Sequence, residues 1–282
     1  MAKNILVDYH CHPNFSISDL KANEQAKIWW KGFEECKLGA VLVTEHSYKN
    51  PARAYRILLQ NKPKDSTTEI FPGVEALTEE GIDFVVFAKT EDIYAKKELL
   101  TPYYLTIEGL LNFIKEKSLY GFVTHPFTPG TTSIVEHKGE DFTLEAIKQI
   151  KAVEAHNASF DILKRFMLTT NLRYVLAEKF DRILKTENLP ENFLNGELRF
   201  IAGGSDAHHP SELGCGFIIQ ITELTRDAIF EAIINNRSGK FVNNKHHGGF
   251  SHLLPSGATV FAEWIIKNLR VYKLPISSQK EP

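Results

Sequence analysis

Cysteine is scarce in this chain, and its spacing excludes two common kinds of site. Only Cys11, Cys36 and Cys215 occur in 282 residues. An odd number of widely separated cysteines forms neither a C-x-x-C metal or redox pair nor a disulfide framework. Apolar runs are also short: none approaches the roughly 20 residues of a membrane span, and the N-terminus enters a strand without a signal peptide. We therefore expect a cytoplasmic protein with reduced thiols and no membrane partner.

The chain also lacks an excess of charge and any nucleotide-binding loop. Its formal net charge is −2, which gives no general electrostatic reason to bind nucleic acid or an anionic surface. Neither G-x-G-x-x-G nor a P-loop follows any predicted strand, which weakens a nucleotide-cofactor fold. No Gly-, Pro- or Ser-rich linker and no internal repeat divides the sequence. These absences favour one domain over residues 1–282.

Short apolar runs alternate with segments of helical spacing along most of the chain. The pattern predicts strands at 4–10, 40–46, 69–77, 82–88, 121–126, 152–157, 199–206 and 215–220. Helices are predicted at 23–38, 106–117, 143–150 and 226–236, with a long helical region at about 160–185. Strands that alternate with helices of this length indicate βα units and a parallel sheet. We expect a single α/β domain, a barrel rather than an open sheet, with residues from about 243 to 282 as a C-terminal extension.

The predicted strands end on residues that bind metals. In V-D-Y-H-C-H, His10 and His12 lie two positions apart and share one face of an extended strand, while Cys11 takes the other. Later strand ends carry further imidazoles and carboxylates, namely His46, Glu75, His125, Glu154, His156, Asp206 and His208. In α/β barrels the carboxyl ends of the strands converge on one face, where active sites form. Imidazole and carboxylate groups together suit Zn, Mn or Fe ions.

The ordered set of motifs resembles the PHP (polymerase and histidinol phosphatase) family of metal-dependent phosphoesterases. The matching elements are H-C-H at 10–12, T-E-H at 44–46, G-V-E at 73–75, T-H-P at 124–126, V-E-A-H-N at 153–157 and G-S-D-A-H at 204–208. The resemblance runs from residue 4 to about 242. It implies a distorted (β/α)7 TIM-like barrel with a trinuclear metal centre at its carboxyl-terminal face.

The resemblance also implies how the ligands divide among two or three divalent ions. One ion would be held by His10, His12, Glu75 and Asp206. Glu75 would bridge to a second ion with His125, and His46 and His208 would hold a third. Asp19 is a candidate ligand of the third ion, or else a turn acid before the first helix. His156 would complete the second ion or contact a substrate phosphate, and the equally weighted alternative is a residue without a site role.

Two departures from the family pattern affect the surroundings of these ions. Glu45 replaces the commoner Asp in the T-E-H motif and is expected to orient a ligand at most. A histidine sometimes found after the G-x-E strand is absent, and Asp83 or Lys89 occupies that neighbourhood. Glu154 is expected as a buried acid that supports the site without binding an ion.

The activity implied is hydrolysis of a small phosphomonoester by hydroxide formed from a metal-activated water. Glu75, Asp206 and His208 are the candidate catalytic residues. Three alternatives stay open: a histidinol-phosphate phosphatase specifically, a nuclease that acts on the ends of short oligonucleotides, or a degenerate metal-binding module without catalysis.

Overall fold

The computed structural model describes residues 3–129 and 133–243. Nine strands lie in this part of the chain: β1 (Lys3–Cys11), β2 (Leu38–Val43), β3 (Glu69–Leu77), β4 (Asp83–Phe87), β5 (Tyr120–Val123), β6 (Ala152–Asn157), β7 (Phe200–Gly204), β8 (Cys215–Ile221) and β9 (Lys240–Asn243). The α-helices in the same residues are α1 (Asp19–Glu35), α2 (Pro51–Gln60), α3 (Lys97–Leu100), α4 (Ile107–Glu116), α5 (Ile134–Ile150), α6 (Asp161–Thr169), α7 (Leu172–Val175), α8 (Ala177–Glu187) and α9 (Arg226–Ile234).

The strands form one mixed sheet that curls into a nearly closed barrel. Their spatial order is β7-β6-β5-β4-β3-β2-β1-β8-β9. At the carboxyl end of β1, the chain that follows β7 returns to it: the Asp206 N–H donates to the His10 carbonyl (2.9 Å), and the His12 N–H donates to the Ala207 carbonyl (2.8 Å). These two bonds join the chain after the edge strand β7 to β1, at the place where the polar strand ends gather.

The sheet is not wholly parallel, which corrects the expectation from the βα pattern. The pairs β1–β2, β2–β3, β5–β6 and β6–β7 are parallel. However, β4 runs antiparallel to both β3 and β5, and β8 runs antiparallel to β1 and β9. The connection between β3 and β4 is short and carries no helix, and an antiparallel pair needs none.

Side chains alternate between the two faces of the curled sheet. The outward face packs on α1, α2, α4 and α5 in a cluster that includes Trp29, Trp30, Phe33 and Leu58. The inner face holds a second cluster, capped by α9, whose members include Ile5, Val7, Tyr9, Ala40, Leu42, Phe71, Val85, Phe87, Phe122 and Phe200. Fully burying one such aliphatic or phenylalanine side chain contributes about 1.5–3 kcal/mol. The inner cluster closes the barrel below the polar strand ends.

The buried tryptophans of α1 also find partners for their indole N–H groups. Trp30 Nε1 donates to the Leu58 carbonyl (2.8 Å), and Trp29 Nε1 donates to the Pro13 carbonyl (3.1 Å). Because Pro13 directly follows His12, the second bond ties the loop after β1 to the first helix.

Several element boundaries differ from the predicted ones. The first helix begins at Asp19 rather than at residue 23. The region at 160–185 is divided into α6, α7 and α8, since Asn171 adopts a left-handed φ of 58° that ends the helical run. The predicted C-terminal extension lies, beyond Asn243, outside the described residues. No helix in residues 3–129 and 133–243 has the length and apolar character needed to cross a membrane.

Candidate metal centre

Seven of the predicted ligands meet at one end of the barrel. They come from the ends of β1, β2, β3, β5 and β7, and they are His10, His12, His46, Glu75, His125, Asp206 and His208. Five of them are 6% exposed or less, and the side chain of Asp206 is 11% exposed. The remaining one, His208, has a side chain that is 8% exposed.

Three imidazoles form the first potential ion site, which we call the histidine trio. It consists of His12, His46 and His208, whose ligand atoms lie within 4.8 Å of one another. The three rings form a triangle, with centroid distances of 4.2 Å from His12 to His46, 4.6 Å from His12 to His208 and 5.6 Å from His46 to His208. His208 Nδ1 lies 3.0 Å from the Asp206 carbonyl, which only a ring N–H can satisfy. His208 Nε2 is therefore the nitrogen with a lone pair for an ion.

A second potential site shares His12 with the trio. His10, His12 and Glu75 bring their ligand atoms within 4.8 Å of one another. Asp206 Oδ1 lies 3.1 Å from His12 Nε2 and 3.7 Å from His10 Nε2. Asp206 thus faces the same point as the other three residues, and these four residues are the ones that the family resemblance implies for one ion.

The third potential site adds a residue that the sequence marked only as a neighbour. Glu75, Asp83 and His125 place their ligand atoms within 4.8 Å of one another. Asp83 is the first residue of β4 and is 1% exposed. Glu75 Oε1 lies 3.3 Å from His125 Nε2, while its other oxygen contacts His46 Nδ1. Glu75 therefore lies between all three sites, as a bridging carboxylate would.

Glu154 orients the ligands through hydrogen bonds to atoms that do not face the potential ion sites. Its Oε1 lies 3.0 Å from His10 Nδ1. Its Oε2 accepts the backbone N–H of His125 (2.7 Å) and an amide N–H of Asn157 (3.2 Å). Asn157 also donates to Asp206 Oδ2 (3.2 Å). With Nδ1 protonated toward Glu154, His10 presents Nε2 to the cluster, which is the way carboxylates orient metal-binding histidines.

Asp8 holds the chain that carries Asp206 against β1. Its carboxylate accepts the N–H and the hydroxyl of Ser205 (3.0 and 2.5 Å) and the N–H of His10 (3.1 Å). Complete burial raises the pKa of Asp8 to about 6 despite these bonds. A Cβ on Gly204 would lie 2.6 Å from the Asp8 carboxylate and from the His10 nitrogen, so only glycine fits at this approach.

The charges within the cluster shift one another. Burial would lower the pKa of the His10 imidazole, but the facing carboxylates of Asp206 and Glu154 raise that pKa well above its ordinary value. Burial would raise the pKa of Asp206, yet the nearby imidazoles, above all His10 and His12, hold it well below its usual range. Asp206 is thus a carboxylate at neutral pH, the form that binds metal ions.

Two ligand positions adopt left-handed backbone conformations. His125 has a φ of 24° and Asp206 a φ of 50°. Non-glycine residues in this region are uncommon, and such strain collects at functional sites where the surroundings impose it. Two hydrogen bonds impose it here: the His125 N–H donates to the Glu154 carboxylate, and the Asp206 N–H donates to the His10 carbonyl.

The buried nitrogens fit a metal better than they fit a metal-free core. Within the described residues, His10 Nε2 and both ring nitrogens of His12 are buried without a hydrogen-bond partner of suitable geometry. Leaving such a group unsatisfied costs about 1–3 kcal/mol, which a bound ion would offset. The donors are imidazole nitrogens and carboxylate oxygens, a set that suits Zn, Mn and Fe.

Two predicted ligands lie elsewhere. Asp19 begins α1 with a side chain that is 85% exposed, and its carboxylate pairs with the Arg53 guanidinium at 2.8 Å. His156 Nδ1 lies 2.8 Å from the Glu187 carbonyl, and its ring stacks on Phe241 with centroids 4.3 Å apart. We therefore remove Asp19 and His156 from the ligand set, because their side chains are engaged outside the cluster.

Glu45 is more closely engaged with the site than the sequence suggested. It is 2% exposed, and its Oε1 lies 3.8 Å from His12 Nδ1. Its carboxylate accepts the backbone N–H groups of Asn14 (2.6 Å) and His46 (3.1 Å). Although burial opposes ionisation, His12 and Lys49 hold the pKa of Glu45 down at about 2. Glu45 therefore supports two histidines of the trio as an anion.

Comparisons with known proteins inform the fold. Protein-family models and curated proteins give no match to this chain. A crystal structure of PsfC from Pseudomonas syringae PB-5123 is similar, with a TM-score of 0.52 and 18% sequence identity, over 93% of this chain and 98% of PsfC. At this identity the likeness shows a shared fold alone, the α/β architecture with its barrel-like sheet.

Proposed function

We propose that the protein is a metal-dependent phosphoesterase of the PHP type that hydrolyses a small phosphomonoester. The observation that carries the proposal is that six motif residues and Asp83 form three overlapping groups of ligand atoms. Glu75 belongs to two of these groups and contacts His46 of the third. When bound, adjacent ions would activate a water for attack on phosphorus and neutralise the charge that grows on the phosphate.

The residues of the chain have distinct tasks in this proposal. Glu75 would contribute one oxygen to each of two ion sites, since its two oxygens contact different histidines. Asp83 and His125 would complete the ion site beside β4, and the histidine trio would form the outer one. The bonds of Asp206 and His208 favour ligand roles over proton donation, because Asp206 is ionised and His208 directs its N–H at a backbone carbonyl.

The first test is metal content followed by activity. Protein reconstituted with Zn, Mn or Fe should hold at least two ions per chain, measured by elemental mass spectrometry. It should then hydrolyse p-nitrophenyl phosphate, and Glu75→Ala should abolish this hydrolysis. The control is Glu145→Ala, which removes an exposed carboxylate from α5. Fewer than two ions per chain would support a non-catalytic module instead.

A substrate screen then separates the open alternatives. Sugar phosphates, nucleotides, histidinol phosphate and short oligonucleotides should be offered with each metal. Preference for a small monoester agrees with the proposal, whereas turnover of oligonucleotide ends alone would assign the protein to the nucleases.

A further inference from the structure

A pocket of about 450 Å³ lies between the loops that follow β1 and β2. Its lining includes Asn14, Phe15, Tyr48, Lys49 and Arg53. Both loops leave the carboxyl ends of parallel strands, so the pocket lies at the same end of the barrel as the ligand cluster. Its volume falls within the range of about 300–1,000 Å³ typical of small-molecule sites.

The pocket and the histidine trio share a wall. The ring of Tyr48, which lines the pocket, stacks on His46 with centroids 4.8 Å apart and an interplanar angle of 13°. Glu45 also lines the pocket, and its Oε1 lies 3.8 Å from His12 Nδ1. A small molecule held at the cluster therefore has this pocket directly beside it.

Two cationic side chains define the chemistry of the pocket. Lys49 Nζ donates to Asn14 Oδ1 (2.9 Å), and Arg53 Nη2 donates to the Ile17 carbonyl (3.1 Å). These bonds fix the two cationic groups on the wall while 22% and 28% of their side-chain surfaces stay exposed. The pocket also adjoins the first turn of α2, where the helix dipole favours negative charge.

The anions near these cations leave room for a ligand. Glu45 directs its oxygens at two backbone N–H groups, and its distance to Lys49 Nζ is 3.9 Å. Asp19 pairs with Arg53, but its side chain is 85% exposed. Exposed pairs of this kind contribute little because solvent screens them. An anion inside the pocket can therefore compete with Asp19 for the guanidinium.

We infer that the pocket binds a second acidic group, a carboxylate or a phosphate, on the alcohol portion of the substrate. The inference rests on the proposed function and narrows it to small phosphomonoesters that carry another anion. Lys49 and Arg53 bind that anion while the phosphate ester occupies the metal cluster.

The test compares esters that differ in this one group. Glycerol 3-phosphate has a neutral end, 3-phosphoglycerate has a carboxylate, and glycerol 1,3-bisphosphate has a second phosphate. The metal-reconstituted protein should favour an acidic ester over the neutral one by at least about tenfold in kcat/KM, the effect of one charge-assisted hydrogen bond. The preferred acidic ester identifies which anion the pocket takes.

Variants of the pocket should change this preference in opposite directions. Lys49→Gln and Arg53→Gln should each lower it about tenfold. Asp19→Asn should raise it about two- to fivefold, because it releases the guanidinium from a weak surface pair. Arg56→Gln is the matched control: Arg56 lies on the same helix and pairs with Glu91 at 2.9 Å, but it does not line the pocket. The Arg56→Gln variant should prefer acidic over neutral esters to the same extent as the wild type.

Calorimetric binding of the same esters separates this inference from the proposed function. Turnover of acidic and neutral esters at equal kcat/KM, with no change in the Lys49 and Arg53 variants, overturns the inference and leaves the phosphoesterase intact. Absence of turnover, combined with Arg53-dependent binding of an acidic ester, removes the proposed function and keeps the pocket as an anion site. Absence of any binding preference overturns the pocket assignment in either case.

Discussion

Glu154 supports the candidate metal centre without facing an ion site itself, and its replacement by glutamine tests that arrangement. The carboxylate is 1% exposed and has three partners: His10 Nδ1 on one oxygen, and the His125 N–H and the Asn157 amide on the other. Glutamine preserves the shape of the side chain and replaces one acceptor oxygen by an NH2 donor. The three partners are all donors in the wild-type protein, so the variant cannot satisfy all of them.

The geometry decides which partner loses its acceptor. The oxygen that receives two N–H groups is the better place for the amide oxygen, which leaves the NH2 group against His10 Nδ1. His10 must then accept at Nδ1 and carry its proton on Nε2, the nitrogen that faces the cluster. A protonated Nε2 cannot bind an ion. The opposite amide orientation would set two donors against each other at the His125 N–H, at a cost of about 1–3 kcal/mol.

The expected loss is confined to the ion sites that use His10. Removing a carboxylate that orients a metal-binding histidine typically lowers metal affinity about 10- to 100-fold, or about 1.4–2.7 kcal/mol. The histidine trio does not contact Glu154, so it should keep its affinity. Titration of the metal-free protein with Zn or Mn against a chromophoric chelator should therefore show one weakened step and one unchanged step.

A matched control is Glu145→Gln, which makes the same chemical change on the exposed face of α5. Thermal denaturation of both variants checks that the fold is retained. If Glu154→Gln binds every ion as tightly as Glu145→Gln does, the tautomer argument is wrong and Glu154 has only a packing role.

Three further predictions concern metal stoichiometry, pH and the barrel. His12→Ala should lower bound metal by at least one ion per chain, because His12 belongs to two ligand groups. The control His137→Ala, at an exposed position of α5, should leave the metal content unchanged. Equal metal content in the two variants would show that His12 is not a ligand. Metal affinity should fall as pH decreases through the titration range of histidine, because protons compete with ions for imidazole nitrogens; an affinity that is flat between about pH 8 and 5.5 by calorimetry would contradict a histidine-rich centre. Gly216→Ala would place a Cβ 2.1 Å from the Val7 carbonyl oxygen, so urea denaturation should show a loss of at least about 1–3 kcal/mol. Gly196→Ala, with open space around it, should be close to neutral, and equal unfolding midpoints for the two variants would refute the clash.

The sequence predicts the alternation of strands and helices well, because apolar periodicity reports burial directly. Strand β4 (Asp83–Phe87) lies within the predicted 82–88, and α4 (Ile107–Glu116) within the predicted 106–117. Strand direction is not predicted in this way, since the same apolar run is compatible with parallel and with antiparallel pairing. The antiparallel direction of β4 and β8 therefore could not be derived from the periodicity.

Strand direction also explains why Asp83 was not among the predicted ligands. Carboxyl strand ends lie together only where the strands are parallel and all point at the same end of the barrel. Because β4 is antiparallel to β3 and β5, its amino end reaches the cluster instead. Asp83 is the first residue of that strand and lies opposite Leu77 of β3. A carboxylate that opens a strand after a tight connection is the signal that would have identified it.

Irregular pairing decides which of the remaining polar residues reach the site. In β1, the inner cluster contains Ile5, Val7 and Tyr9, so strict alternation would turn the His10 side chain outward. The pairing register of β1 shifts between Asp8 and Cys11, and this irregularity turns the His10 side chain inward. In β6 the effect is the reverse. Glu154 faces inward, and alternation would place His156 beside it, but the register shifts between these two residues and His156 pairs with Gly203 instead. Neither register shift contains a proline or a glycine from which it could have been predicted. One irregularity thus adds a ligand that simple alternation would lose, and the other removes a residue that simple alternation would include.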